Sequence, residues 1–201
     1  MCGISGISSF KDTDKGTDGT EAVRRMSDLQ KHRGPDHTSM WASSERRCVF
    51  GHTRLSVIDL SPEGHQPMID PETGNVIVYN GEIYNFPMLR AESIKEGYRF
   101  RSKTDTEVIL ALYRRYGPDC VKRLRGMFAF AIWEPKKQRV VLARDRLGEK
   151  PLHYALINGQ LIFASEIRAL VQHPLVSRDV DTEALELFLD LQYIPVPWTI
   201  Y

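Results

Sequence analysis

The sequence predicts an α+β fold built on antiparallel sheet, and three observations carry that prediction. Strand-length apolar runs follow one another through hairpin-length connections and are bracketed by helical segments, where repeated βαβ units would place a helix between every pair of strands. Residues 127–133 put Phe128, Phe130 and Ile132 on one side of a strand and Met127, Ala129, Ala131 and Trp133 on the other. A strand apolar on both faces is covered on both faces, so it lies in the middle of a layered structure. A length of 201 residues allows one domain comfortably and hides about seven-tenths of the unfolded surface without a disulfide or metal staple.

Taken in order, residues 3–10, rich in Ile and Ser, predict a strand, and residues 11–19 a polar turn. Residues 20–31 predict a helix, with Val23, Met26 and Leu29 on one face, Thr20 at the cap and Gly34-Pro35 as the stop. Strand patterns follow at 39–42 and at 48–60, the latter interrupted by Gly51-His52. Turn residues fill 70–75, and a strand follows at 76–79. Thr104 and Glu107 fit a capping box, each satisfying the other's backbone donor. The helix behind them sets Ile109, Leu112, Tyr113 and Tyr116 on one face and ends at Gly117-Pro118. After the two-faced strand, 134–138 read as a hairpin turn and 139–145 as the returning strand. Strands at 152–156 and 161–164 flank the Asn158-Gly159 turn, and 165–173 and 182–191 read as helices.

Composition excludes several function classes. Lys plus Arg number 27 against 26 Asp plus Glu, a formal net charge of +1, whereas a dedicated nucleic-acid binder needs a basic excess for phosphate. Residues 122–150 do carry nine bases against three acids, but these are spread over strands and turns as a solvated face. No apolar run reaches the roughly 18 residues of a membrane span, and the N-terminus lacks the basic and apolar regions of a secretory signal. The three cysteines, Cys2, Cys48 and Cys120, form no C-x-x-C pair, so a reducing cytoplasm is expected. The cysteines and six histidines show no ligand spacing for zinc, and His52 and His65 read as packed or hydrogen-bonded side chains.

Cys2 is the residue with chemistry to offer. Initiator methionine is removed before small side chains, which would leave Cys2 with a thiol and a free α-amine on one residue. An α-amine titrates at about 7.7–8.0, so near neutral pH it can take the thiol proton. Nucleophile and base are then pre-positioned together, and Gly3 permits close backbone approach. A papain-like Cys–His pair is the rival, and it lacks the local signature around the cysteine.

Cys2 gains weight from the segments read with it. Met-Cys-Gly-Ile at 1–4, His-Arg-Gly-Pro-Asp at 32–36, Gly-His-Thr-Arg-Leu-Ser at 51–56 and His-Gln-Pro-Met at 65–68 come in this order. Tyr-Asn-Gly-Glu-Ile-Tyr-Asn at 79–85, Lys-Thr-Asp-Thr-Glu-Val at 103–108, Gly-Met-Phe-Ala-Phe at 126–130 and Ala-Arg-Asp-Arg-Leu-Gly at 143–148 follow. This set resembles the glutaminase domain of glutamine-hydrolysing asparagine synthetases, which are N-terminal nucleophile (Ntn) amidotransferases, and the likeness covers nearly the whole chain.

The resemblance implies an Ntn-hydrolase four-layer αββα sandwich of two mainly antiparallel sheets flanked by helices. It implies that Cys2 attacks the side-chain amide of L-glutamine, forming a thioester and releasing ammonia, and that water then yields glutamate. Asn80, through its side-chain amide, and Gly81, through its N–H, would hold the oxyanion, although the Asn-Gly pair alone reads as a type I′ turn. Arg54 would grip the α-carboxylate, where a surface salt bridge is the plain alternative. Leu55 and Val57 would add backbone groups, and Glu82 and Asp105 would receive the α-ammonium. Asp105 also suits the helix N-terminus just after Thr104. Arg33 and Asp36 are expected to brace a nearby loop.

The expected division is a glutaminase domain over residues 1–178 and an acidic helix with a Pro-containing linker over 179–201, leading toward a synthetase domain of the same polypeptide. Residues 179–190 hold five acids and no base, Pro195 and Pro197 follow, and the chain stops inside an apolar stretch, as a cut chain would. No cofactor is expected here. The sequence has no Ser-Gly-Gly-type pyrophosphate loop, so ATP and Mg²⁺ would belong to the further domain, which would adenylate aspartate. No nucleic-acid or membrane partner is expected, and the longer enzyme has room to be a homodimer. The other readings are a same-fold amidotransferase feeding a different acceptor and a catalytically silent regulatory domain.

Overall fold

A computed structural model describes residues 1–10 and 19–201. The turn expected at 11–19 therefore lies outside the described residues except for Gly19, which opens a helix. Nine strands form two antiparallel sheets among the described residues. The first sheet has the order β2-β3-β1-β9-β8, with β1 at Gly3–Ser9, β2 at His37–Ala42, β3 at Cys48–Arg54, β8 at His153–Ile157 and β9 at Gln160–Ala164. The second has the order β4-β5-β6-β7, with β4 at Met68–Ile69, β5 at Val76–Ile83, β6 at Gly126–Glu134 and β7 at Arg139–Arg144. Helices are α1 at Gly19–Asp28, α2 at Phe86–Lys95, α3 at Asp105–Tyr116, α4 at Ile167–Leu170 and α5 at Thr182–Leu191.

The period-2 alternation of the strands sorts side chains into three apolar layers. Ile7, Val49, Ile162 and Ala164 pack on Val23 and Met26 of α1 and on Ala169 and Leu170 of α4. Ile4, Cys48, Phe50 and Phe163 of the first sheet meet Val76, Val78, Ala129, Ala131 and Trp133 of the second. Ile77, Tyr79, Phe128, Phe130 and Ile132 pack on Leu89 of α2 and on Val108, Ile109, Leu112 and Tyr113 of α3. The result is the αββα sandwich, and β6 is its doubly covered strand, as its sequence requires.

Several elements differ from their sequence reading. β3 runs through Gly51-His52 without a break and ends at Arg54, because those two residues pair in register with Ser5 and Ile4 of β1. β5 continues to Ile83, so Asn80 and Gly81 are strand residues opposite Ala129 and Phe128, not a hairpin turn. A Cβ on Gly81 would come within 2.3 Å of the Met127 carbonyl oxygen, which explains a glycine there without any turn. α2 has no counterpart in the sequence reading: Pro87 lies in its first turn, and only Leu89 and Ser93 are buried, so its apolar periodicity is weak. The helix expected over 165–173 shrinks to the four residues of α4. The α1 face keeps Val23 and Met26 buried, while Leu29 lies beyond the helix end at 39% exposure. Thr104 Oγ1 accepts from Glu107 N (3.3 Å), but the Glu107 carboxylate accepts from Arg101 N, Ser102 N and Ser102 Oγ, so only half of the capping box forms.

Candidate active site

The alternation that builds the layer between the sheets also builds the site. Ile4 of β1, Phe50 of β3 and Val78 of β5 face that layer. Two residues before Ile4 stands Cys2, four beyond Phe50 stands Arg54, and two beyond Val78 stands Asn80. The same inward columns, continued to one end of the sandwich, thus switch from apolar to reactive side chains. They open into a cavity of about 160 Å³ lined by Cys2, Arg54, Leu55, Val57, Asn80, Gly81, Glu82 and Asp105, together with Met1, Asp59, Tyr79, Met127 and Lys150. Every residue expected at the site lines this one cavity, which has space for about five water molecules.

Cys2 Sγ accepts from Leu55 N at 3.4 Å and lies 3.7 Å from Leu55 O. Both Leu55 backbone groups are therefore engaged with the sulfur, and Val57 stands at the rim, 72% exposed. Burial pushes the thiol above its ordinary value, against the pull of the Leu55 N–H, the N-terminal charge and Arg54. Near neutral pH the sulfur is a thiol and needs a base to become a nucleophile. Arg33 Nε donates to the Cys2 carbonyl (3.0 Å) and its Nη1 to Glu166 (3.0 Å), while Asp36 accepts from Ser56 N (2.7 Å). These are the bracing contacts expected of Arg33 and Asp36.

Asn80 is 1% exposed, and its Nδ2 has no hydrogen-bond partner among the described residues. A buried amide donor left unpaired costs about 1–3 kcal/mol, a strain that a ligand oxygen would relieve. Arg54 is 5% exposed and forms no ion pair among the described residues, which rejects the surface salt bridge. Its Nη1 donates to Ser61 O (2.9 Å) and its Nη2 to Asp59 O, so a guanidinium without an ion-pair partner among the described residues sits in the cavity wall. Asp105 Oδ2 accepts from Tyr79 OH (2.6 Å) and Ile83 N (3.0 Å). Burial raises its carboxyl, opposed by those two donors, and Glu82 lines the cavity beside it.

Residues that sequence reading passed over hold these groups in place. The Asp59 carboxylate accepts from Ser61 N (2.9 Å), Ser61 Oγ (2.6 Å) and Lys103 N (2.8 Å), tying the loop after β3 to the approach of α3. The hydrogen bonds from Ser61 and Lys103 hold its carboxyl down at about 2. An Asp two residues before a Ser is an Asx-turn signal that was readable. Gln66 accepts from Tyr79 N (2.6 Å) and donates to Thr106 Oγ1 (3.2 Å), a role that its place in the His-Gln-Pro-Met segment does not reveal.

His52 is fully buried in β3, its Nε2 3.3 Å from Tyr79 O, and His65 stacks on His37 with ring centroids 3.7 Å apart. No group of three or more His, Cys, Asp or Glu side chains is placed to hold a metal among the described residues. Burial lowers His52 from 6.5 to about 3, so the folded protein keeps it neutral where the unfolded chain protonates it. Stability contributed above pH 6.5 is therefore lost as pH falls from 6.5 toward about 3, with a slope approaching about 1.4 kcal/mol per pH unit. Urea midpoints measured from pH 7 to 5 should fall for the native sequence and fall less for His52→Gln. Parallel curves would show that His52 is not the titrating group.

No helix among the described residues is long and apolar enough to cross a membrane. The family model for the glutamine amidotransferase domain matches residues 1–201. Asparagine synthetase [glutamine-hydrolyzing] 1 of Bacillus subtilis is 39% identical over 202 residues, covering 100% of this chain and 31% of the relative. Asparagine synthetase [glutamine-hydrolyzing] 3 of the same organism is 41% identical, covering 94% of this chain and 30% of the relative. The chain thus spans about a third of the length of the curated relatives it matches. A solved glutamine phosphoribosylpyrophosphate amidotransferase from B. subtilis superposes with a TM-score of 0.67 at 20% identity, over 84% of this chain and 42% of that one. That likeness is one of fold, the Ntn-hydrolase sandwich. With a shared fold and a family match from the first residue to the last, the chain belongs to the glutamine amidotransferase domain family.

Proposed function

We propose that this chain hydrolyses L-glutamine to L-glutamate and ammonia, with Cys2 as nucleophile and its own α-amine, freed by removal of Met1, as base. The observation that carries this reading is a half-buried thiol and an unpartnered amide donor, Cys2 Sγ and Asn80 Nδ2, in one cavity. The amine takes the thiol proton, and the sulfur attacks the glutamine side-chain carbonyl carbon. Asn80 Nδ2–H and the Gly81 N–H stabilise the oxyanion. The amine returns the proton to the departing nitrogen, ammonia leaves, and a thioester remains. Water, deprotonated by the same amine, then releases glutamate and restores the thiol. Arg54 supplies a paired-donor grip on the α-carboxylate, and Glu82 and Asp105 attract the α-ammonium.

By this reading the ammonia serves ATP- and Mg²⁺-dependent asparagine synthesis from aspartate in a longer polypeptide, where residues beyond this chain hold ATP and Mg²⁺. The support is the names of relatives at 39% and 41% identity and the third of their length that this chain covers. The division at residue 178, a cytoplasmic location and a homodimer of the longer enzyme belong to the same proposal.

Met1 is the obstacle, because it lines the cavity and turns the Cys2 nitrogen into an amide, which is no base. Mass spectrometry paired with a glutaminase assay tests the mechanism. Protein that begins at Cys2 should turn over glutamine, and protein that retains Met1 should not. Strong turnover by a sample proven to retain Met1 would defeat the free-amine mechanism.

A further inference from the structure

Lys150 is the only lysine among the described residues of the cavity wall, and it is 5% exposed. The loop after β7 is wound to present it. Its backbone N–H donates to Asp145 Oδ2 (3.0 Å) and Glu149 N to Asp145 Oδ1 (2.8 Å), while Arg144 donates to the carbonyls of Lys150 (2.8 Å) and Gly148 (2.6 Å). Two charged side chains are thus spent on the loop backbone, and the lysine side chain turns inward. Its Nζ donates to Met1 Sδ at 3.0 Å, and it forms no ion pair among the described residues. A thioether is a weak acceptor, and a buried ammonium without an anion is costly to hold. Removal of Met1 takes away even that partner.

We propose that Lys150 is a positioning residue for the catalytic base: its ammonium repels a second positive charge on the Cys2 α-amine and so keeps that amine in the unprotonated form that accepts the thiol proton. The inference rests on the reading of Cys2 above. Covalent geometry places Met1 Sδ within about 7 Å of the Cys2 nitrogen, so Lys150 Nζ lies within about 10 Å of it. Two like charges at that range, at an effective dielectric of about 20, shift a titration by about one pH unit. An α-amine that ordinarily titrates at about 7.7–8.0 is then brought near neutrality, where a base is most effective.

The other charges around the amine do not cancel this. Arg33, on the Cys2 carbonyl, is paired with Glu166, which also holds His32 and Arg168. Arg54 of β3 is answered by the Asp59 carboxylate, which it helps hold down, and in the proposed complex by the substrate α-carboxylate, while Asp105 at the start of α3 is engaged by Tyr79 OH and Ile83 N. Asp145 is occupied by the N–H groups of Phe128, Glu149 and Lys150, and Arg144 by the loop carbonyls. Glu149 sits on the loop itself with its side chain exposed to solvent, and Tyr79 stays a neutral phenol. Glu82 of β5 is left, and in the proposed complex the substrate ammonium neutralises it. Lys150 is then the uncompensated charge beside the base.

The test uses the Met1-processed protein as wild type, Lys150→Met and Lys150→Arg. A ¹⁵N NMR titration of the Cys2 α-amine reads the effect without any turnover. The methionine variant should titrate about one pH unit higher than wild type, the arginine variant close to wild type, and the acid limb of kcat/KM for glutamine should move by the same amount. Methionine matches the length of the lysine stem, and a thermal midpoint checks folding. If it fails to fold, Lys150→Gln carries the same measurement. Coincident amine titrations in wild type and the neutral variant overturn the proposal. If the amine shifts as expected while processed wild type makes no glutamate, the proposal stands and the glutaminase reading falls.

Discussion

Cys2→Ala leaves a folded protein that releases no measurable glutamate from glutamine. The thiol is the only atom of the proposed reaction that forms and breaks a bond to substrate, so no neighbour substitutes for it. Alanine remains small enough for Met1 removal, which keeps the N-terminus comparable. The fold is expected to survive, because Cys2 precedes β1 and its side-chain contacts are the two weak sulfur contacts to Leu55. Circular dichroism and a urea midpoint verify the fold, and a coupled glutamate assay reads the activity. Glutamate production at the wild-type rate would place the nucleophile elsewhere.

Asn80→Ala is the second large effect, and its signature is a split between function and stability. Removing one preorganised oxyanion donor costs about 10²–10³ in kcat, or about 3–4 kcal/mol of transition-state stabilisation. KM for glutamine should change little, since the donor acts on charge that develops only during reaction. The folded protein should lose nothing, because Asn80 Nδ2 is buried without a partner and its removal strands no other group. A urea midpoint equal to or above that of wild type, with kcat reduced at least a hundredfold, is the expected pair of results. A kcat within a few-fold of wild type would remove Asn80 from the mechanism, and a large stability loss would make it a structural residue.

These two residues show different degrees of legibility. Cys2 could be read as a candidate nucleophile, since an N-terminal thiol and amine are joined covalently and need no fold to meet, although one cysteine at position 2 is a weak signal until the other segments are read with it. Asn80 could not, because Asn-Gly favours a type I′ turn locally, and only pairing with β6 draws it into a strand. The same competition between local preference and pairing explains β3, where Gly51-His52 suggested a break and β1 supplied a partner. Helix α2 went unread for the converse reason. Only Leu89 and Ser93 are buried, so packing against α3 decides a segment whose own pattern is weak.

The sequence by itself determined the alternating strands, the doubly covered β6, the Thr104 cap of α3 and the reactive terminus, all features set within a few residues by periodicity or covalent attachment. Tertiary structure alone decided that Arg54 forms no ion pair among the described residues, that Asn80 keeps an unpaired donor, that Asp59 ties the Arg54 loop to α3, and that Lys150 reaches Met1 across 149 residues of sequence. Those are statements about partners brought together by two sheets closing on one another, and no local pattern encodes which side chains a closing sheet leaves unpaired.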